Sequence, residues 1–253
     1  MNDDRIARVA RRLLDARRTR RAVPVPPLED PPASAETAYA IQDAVLAEIG
    51  PRGGWKVGAA GAGAVPVCAP LPAALIFAAP ATLPAADYGL LGIEAEVAFR
   101  LGADLPPRDR DYNREEVIPA LAAAMPAIEV VNSRWHGWPR VDRMWQLADL
   151  QSNGALVFGH GRTDWDEIDL SIEPVRLTVD GRTVAEAIGG NPAGDPLDLV
   201  TWLANHAAKR AGGLKAGEIV TTGSCTGMNF AAAGATVTAS FPALGEAAVT
   251  FAA

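Results

Sequence analysis

Cysteine is almost absent: Cys68 and Cys225 are the whole complement of the 253 residues, which argues against a disulfide framework and excludes a paired-cysteine metal motif. Such usage fits a reducing cytoplasm. Histidine is equally scarce, and His136, His160 and His206 are too scattered for a His-rich zinc site. There is no basic surplus. Thirty acidic against 23 basic residues give a formal net charge of −7, which argues against a nucleic-acid partner. A long, strongly apolar run is missing as well. Residues 57–86 carry no charge, but Pro66, Pro70, Pro72, Pro80 and Pro84 interrupt them, so they cannot close their backbone bonds as a membrane-spanning helix. Buried strands and loops are expected there.

With 49% hydrophobic residues, the chain can bury a large core as one domain or two small ones. Within one apolar run stand two carboxylates, in Gly92-Ile93-Glu94-Ala95-Glu96-Val97-Ala98-Phe99. Side chains two apart on a strand share a face, so Glu94 and Glu96 look one way while Ile93, Ala95 and Val97 look the other. Adjacent carboxylates repel, and desolvation worsens the repulsion unless a cation or a shared proton lies between them. Glu129 sits in a similar apolar run, Pro126-Ala127-Ile128-Glu129-Val130-Val131. Two readings are open on pattern alone. Three acids on two hydrophobic strands suit a hard divalent cation held by oxygen; they equally suit a solvated strand face, or ion pairs with the many arginines.

Residues 1–21 are arginine-rich, and Ile6, Val9, Leu13 and Leu14 share a helical face. Asp3, Asp4 and Asp15, and the lack of an apolar secretory core, count against a targeting peptide, so a packed surface helix is expected. Residues 24–32 read as an extended, proline-rich connector. Ser34 or Thr37 caps a helix running to about Glu48 and stopped at Gly50-Pro51. Strands are expected at 55–57, 74–77, 93–101, 127–131, 154–158, 175–179, 218–221, 235–241 and 247–251. Helices are expected at 115–124, after Asn113 as a cap, and at 197–210, between Asp195-Pro196 and Gly212-Gly213. Val179-Asp180-Gly181-Arg182 is a hairpin signal. Helices in front and strands in the middle and end argue for an α+β fold, with residues 1–33 as helix and connector and 34–253 as one domain.

Several motifs then coincide in order: Tyr39-Ala40-Ile41-Gln42, Gly54-Trp55-Lys56-Val57-Gly58, Glu94-Ala95-Glu96-Val97-Ala98-Phe99, Pro126-Ala127-Ile128-Glu129-Val130-Val131-Asn132-Ser133-Arg134, Ala148-Asp149 with Ser152-Asn153-Gly154, Trp202-Leu203-Ala204-Asn205, Leu214-Lys215-Ala216-Gly217-Glu218 and Gly223-Ser224-Cys225-Thr226-Gly227. Together, over about residues 35–251, they resemble the 2-keto-4-pentenoate hydratase family of the fumarylacetoacetate hydrolase superfamily. The resemblance implies a β-rich roll with flanking helices, usually in homo-oligomers. It also implies a divalent metal, Mg²⁺ or Mn²⁺, on Glu94, Glu96 and Glu129. The substrate it implies is a small 2-oxo or 2-hydroxy-dienoic acid that chelates the metal through its carboxylate and C2 oxygen. In the family's reaction the dienol ketonises with protonation at C5, and water adds at C4 to give a 4-hydroxy-2-oxo acid.

Lys56 is the candidate for proton transfer or substrate anchoring. Burial would lower its pKa and the three carboxylates would raise it. Its alternative is a lysine snorkelling from a strand end. Ser224 and Thr226, in a Gly-rich turn, are candidates for binding the substrate carboxylate, with local backbone bonding as the alternative. Arg134 is placed beside the substrate and the acidic cluster, or else in a pair with Asp149 or Asp142. His136 reads as a structural loop residue.

The chain also departs from the family pattern. Hydratases of this group carry an active-site aspartate after the Lys-Val-Gly motif, and here Val67 or Cys68 stands at about its place; Asp87 is the nearest acid. That departure keeps two alternatives beside hydration: decarboxylation of the 4-oxalocrotonate type, and a weakly active chain that works through a partner enzyme.

Overall fold

The computed structural model describes residues 3–26 and 31–253; residues 1 and 2 and the middle of the expected connector lie outside the described residues. Helix α1 (Asp3–Thr19) buries Val9, Ala10, Leu13 and Ala16 along one face, with Asp3 and Asp4 at its start and Arg17 and Arg18 in its last turn, as the helix dipole favours. It packs on α2 (Ala35–Ile49), where the Ser34 hydroxyl accepts from the Thr37 N–H and Gly50 ends the helix. The other helices are α3 (Arg114–Val117), α4 (Arg143–Ala148) and α5 (Pro196–Arg210), the last capped by Asp195 with Pro196 in its first turn. Among the described residues, no helix is long and apolar enough to cross a membrane.

The strands are β1 (Arg52–Gly58), β2 (Val67–Pro72), β3 (Ile76–Ala78), β4 (Ala81–Pro84), β5 (Gly92–Leu101), β6 (Leu121–Val131), β7 (Asn153–Phe158), β8 (Pro174–Val179), β9 (Arg182–Ile188), β10 (Ile219–Ser224), β11 (Asn229–Phe230), β12 (Thr236–Phe241) and β13 (Gly245–Ala252). They form two mixed sheets. The larger runs β2-β1-β10-β5-β6-β7-β3, with β11 also on β5, and the smaller runs β4-β13-β12-β8-β9. The end strands β2 and β3 of the larger sheet are consecutive in the chain, joined by the single turn Ala73–Leu75, which touches both β1 and β7. A three-residue link spans at most about 11 Å, so the sheet curls back on itself into a roll. The fold is therefore α+β, with a β-rich roll and flanking helices.

Leu71, Ala98, Met125, Leu156 and Ile219 form a small apolar plug on one face of that sheet, separate from the main core. They share this face with Glu94, Glu96, Glu129 and Lys56, as strand alternation requires. The opposite face, with Val57, Ile93, Val97, Phe99, Ile128 and Val220, joins the main core together with the helices and the smaller sheet.

Two expected elements are corrected. The strand expected over 74–77 begins only at Ile76, after the turn Ala73–Leu75. The helix expected over 115–124 ends at Val117, tightens into a 3₁₀ turn at Ile118–Ala120, and gives way to β6 at Leu121. Asn113 and Glu116 do form a full capping box. However, Pro119 lacks a backbone donor for a longer helix, and the alanines that favour helix join the ladder instead, with Ala123 opposite Arg100 and Ala124 opposite Phe99. Strands β2 and β4 and helix α4 were not expected as elements.

Candidate metal and substrate site

The central strand β5 assembles the acidic cluster. Its pairing with β6 sets Glu94 directly opposite Glu129, and its pairing with β10 sets Glu96 beside Ser224. Opposite residues and residues two apart share a face, so the three carboxylates converge, and one oxygen of each lies within 4.8 Å of the others. Glu96 and Glu129 are 1% and 0% exposed. Lys56 enters from β1, opposite Thr221 of β10, and its Nζ lies 2.5 and 2.7 Å from the two Glu129 oxygens. Three carboxylates less one ammonium leave two negative charges, the complement of a divalent cation. An all-oxygen donor set suits a hard ion. The residues fit the metal that the sequence implied.

The protein supplies the rest of the cluster's electrostatics. Burial, then Glu129, pushes Glu94 up to about 7, while Lys56 and the Ser224 hydroxyl hold it back. Burial, Glu129 and Glu94 push Glu96 up to about 8 against Lys56 and Thr221. The Thr221 hydroxyl donates to Glu96 Oε2, and the Gly223 N–H donates to the same oxygen at 3.0 Å. For Lys56, burial favours the neutral form, but Glu129, Glu96 and Glu94 outweigh it, so its pKa is raised and it is charged at neutral pH.

Behind Lys56 the backbone is strained. Leu150, Gln151 and Ser152 have φ values of 48°, 51° and 58°, three consecutive non-glycine residues in the left-handed region. This run delivers the Gln151 carbonyl to Lys56 Nζ at 3.1 Å. Asn153 follows it, and its Nδ2 donates to Glu129 at 3.4 Å. Thr221, Gly223 and Gln151 were missed in the sequence because they act through strand register or backbone; Asn153 stood in a quoted motif without a role.

Arg134 takes the pairing with Asp149 that was one of its two expected placements. Its Nε reaches Asp149 Oδ1 at 2.5 Å, its Nη2 the Asp149 carbonyl at 2.8 Å, and its Nη1 the Asn153 carbonyl at 2.7 Å. The residue is 3% exposed, and its guanidinium binds the residues on either side of the strained run, Asp149 and Asn153, so it holds Asn153 in position. Thr226 Oγ1 accepts from the Ala95 N–H at 3.1 Å, local strand chemistry, whereas Ser224 faces Glu94. Asp149→Ala is expected to destabilise the protein by about 3–5 kcal/mol, because it leaves a buried arginine uncompensated; urea unfolding measures it.

A cavity of about 330 Å³ opens beside Lys56, lined also by Gly58, Val65, Val67, Leu147 and Gln151. Val67 pairs with Gly58 and therefore shares the Lys56 face, while Cys68 pairs with Val57 and turns into the core. Of these two residues, Val67 is therefore the one on the cavity side. Asp87 does not replace the missing acid: its carboxylate pairs with Arg20 at 2.9 Å.

The converging carboxylates, and every strand of the curled sheet but β1, lie within residues 65–252, which the family model described as "Fumarylacetoacetate (FAA) hydrolase C-terminal" matches. A 2-keto-4-pentenoate hydratase of Paraburkholderia phymatum is 31% identical over 99% of this chain and 98% of its own length. A 4-oxalocrotonate decarboxylase of Pseudomonas putida is 29% identical over 63% of this chain and 59% of its own. Among solved structures, 4-oxalocrotonate decarboxylase from Pseudomonas putida G7, complexed with magnesium and adipate, superposes with a TM-score of 0.87 at 23% identity, covering 99% of this chain and 98% of that one. The chain belongs to the 2-keto-4-pentenoate hydratase family of the fumarylacetoacetate hydrolase superfamily.

Proposed function

We propose that this chain is a divalent-metal-dependent lyase that adds water to a small 2-hydroxy-alka-2,4-dienoate, giving a 4-hydroxy-2-oxo acid. The observation that carries this reading is the convergence of Glu94, Glu96 and Glu129 on one face with Lys56 against them. A Mg²⁺ or Mn²⁺ ion held by the three carboxylates supplies Lewis-acid stabilisation of negative charge on the substrate's C2 oxygen.

The chain's own residues handle the protons and the medium. Lys56, charged and facing the cavity, delivers a proton to C5 of the dienol and, once neutral, takes up the proton that the C2 hydroxyl loses, so that it ends the step charged again. Glu129 and the Gln151 carbonyl fix the ammonium from two sides, which preserves its aim. The apolar plug adjoining the cluster keeps the local dielectric low, so these charges act strongly. Ser224, beside Glu94, is the hydroxyl placed to meet the substrate carboxylate.

Val67 favours a second reading. An apolar wall where an acid would activate water suits release of CO₂ from a 2-oxo acid, which uses the same stabilised enolate and adds no water. A panel of dienoates and 2-oxo acids with Mg²⁺ and Mn²⁺, followed for both water addition and CO₂ release, separates the two. Turnover in neither assay would overturn both readings and point to a subunit that works through a partner enzyme. Val67→Asp is expected to raise water addition relative to CO₂ release; an unchanged ratio would show that position 67 does not govern hydration.

A further inference from the structure

A cavity of about 560 Å³, larger than the one beside Lys56, lies where β6 ends and β7 begins, lined by Arg17, Arg18, Arg20, Arg21 and Arg134. Three carboxylates answer these five arginines. Asp15 pairs with Arg18 at 3.0 Å, Asp87 with Arg20 at 2.9 Å, and Asp149 with Arg134 at 2.5 Å. Five less three leaves two positive charges. Arg21 has no carboxylate partner among the described residues. Arg17 reaches Asp149 only at 3.9 Å, and its buried Nε has no hydrogen-bond partner. Burial and the neighbouring Arg134 pull Arg17 down to about 9, which Asp149 only partly offsets. Tyr88, Trp138, Leu75 and Leu90 complete the wall with apolar and aromatic surface.

We propose that this cavity is a second binding site, separate from the acidic cluster, for a small organic carboxylate with a flat, unsaturated body. Guanidinium groups match a carboxylate in charge and in geometry, and the two surplus arginines are the ones left to do so. The rings and leucines take the body of the ligand, which an inorganic anion would not use. The volume falls in the range of small-molecule sites, about 300–1,000 Å³. The site is also wired to the cluster. Arg134 and Arg17 share the Asn153 carbonyl as acceptor, at 2.7 and 3.5 Å, and Asn153 in turn donates to Glu129. An anion on Arg17 competes for one of those two donors and so bears on the residue that holds Glu129.

Calorimetric titration of the full chain with benzoate, with and without Mg²⁺, tests the site. Saturable one-to-one binding is expected, weakened about tenfold or more by Arg17→Met and by Arg21→Gln, the loss of a charged hydrogen-bond partner. Lys56→Met should not abolish it, because Lys56 lies in the other cavity. Arg21 is exposed, so Arg21→Gln decides the matter should Arg17→Met fail to fold. Absence of saturable binding would overturn the proposal. So would binding that survives both arginine substitutions, binding lost in Lys56→Met, or inorganic phosphate binding as tightly as benzoate.

Discussion

Lys56→Met is expected to lower turnover by about 10²–10⁴-fold, the range a positioned acid–base group contributes, while fold and metal affinity persist. Methionine keeps the length and apolar stem of lysine, so the packing between Trp55 and Val57 is retained. What disappears is the ammonium held 2.5 Å from Glu129 and 3.1 Å from the Gln151 carbonyl. Removing that cation leaves Glu129 without its counter-charge, which a bound divalent ion makes good, so stability should fall mainly in the metal-free protein. Single-turnover kinetics with an authentic substrate, beside a calorimetric metal titration, reads both quantities. Full turnover would exclude an essential role for Lys56.

Metal binding itself should suffer most from Glu96→Gln. The amide keeps an oxygen but removes one of three charges, and the loss should exceed the roughly 10–100-fold typical of outer-shell partners. The same titration carries a pH signature. In the metal-free protein Glu94 and Glu96 are pushed up to about 7 and about 8 from the ordinary 4.5, so a cation must displace protons below those values. Affinity is therefore expected to rise with pH between about 6 and 9 in the wild type and less steeply in Glu96→Gln. The sign for stability is opposite. Between 4.5 and about 8 the native metal-free state binds more protons than the unfolded chain, so its stability falls as pH rises. Saturating Mg²⁺ should flatten that slope, because the carboxylates then hold no protons in either the native or the unfolded state above about pH 5.5, and thermal unfolding across the range measures it.

The acidic trio was legible because it violated a local rule. Carboxylates in apolar strands carry a cost that the sequence displays, and the period of two fixed the shared face of Glu94 and Glu96 before any register was known. That Glu129 lies opposite Glu94 was not legible, since register is set by long-range pairing. Local signals held where chemistry is local. Ser34 caps α2, and Asp180 and Gly181, at φ 50° and 75°, turn the hairpin between β8 and β9. They failed at 118–124, where alanine's helix preference lost to the ladder with β5. The placement of Arg134 turned on a buried pair with Asp149 that one chain read alone left open among several partners. Strand β2 was hidden by its prolines, which are tolerated because it lies at the end of the large sheet's strand order and has β1 as its strand partner.

The pairing of β1 with β10 joins Lys56 to Thr221, residues far apart in the sequence. Closing so long a loop is entropically slow, and contacts of this separation delay folding. The β10 donors to Glu96 are therefore among the last parts of the site to arrive. Until residues 219–224 dock, the gap between β1 and β5 is unfilled, and Glu96 lacks the Thr221 and Gly223 donors. During synthesis the three acids exist well before Thr221 and Gly223, the donors to Glu96, are made. A nascent chain halted before residue 219 would carry the carboxylates but no working centre, so competence for catalysis is a property of the finished chain alone.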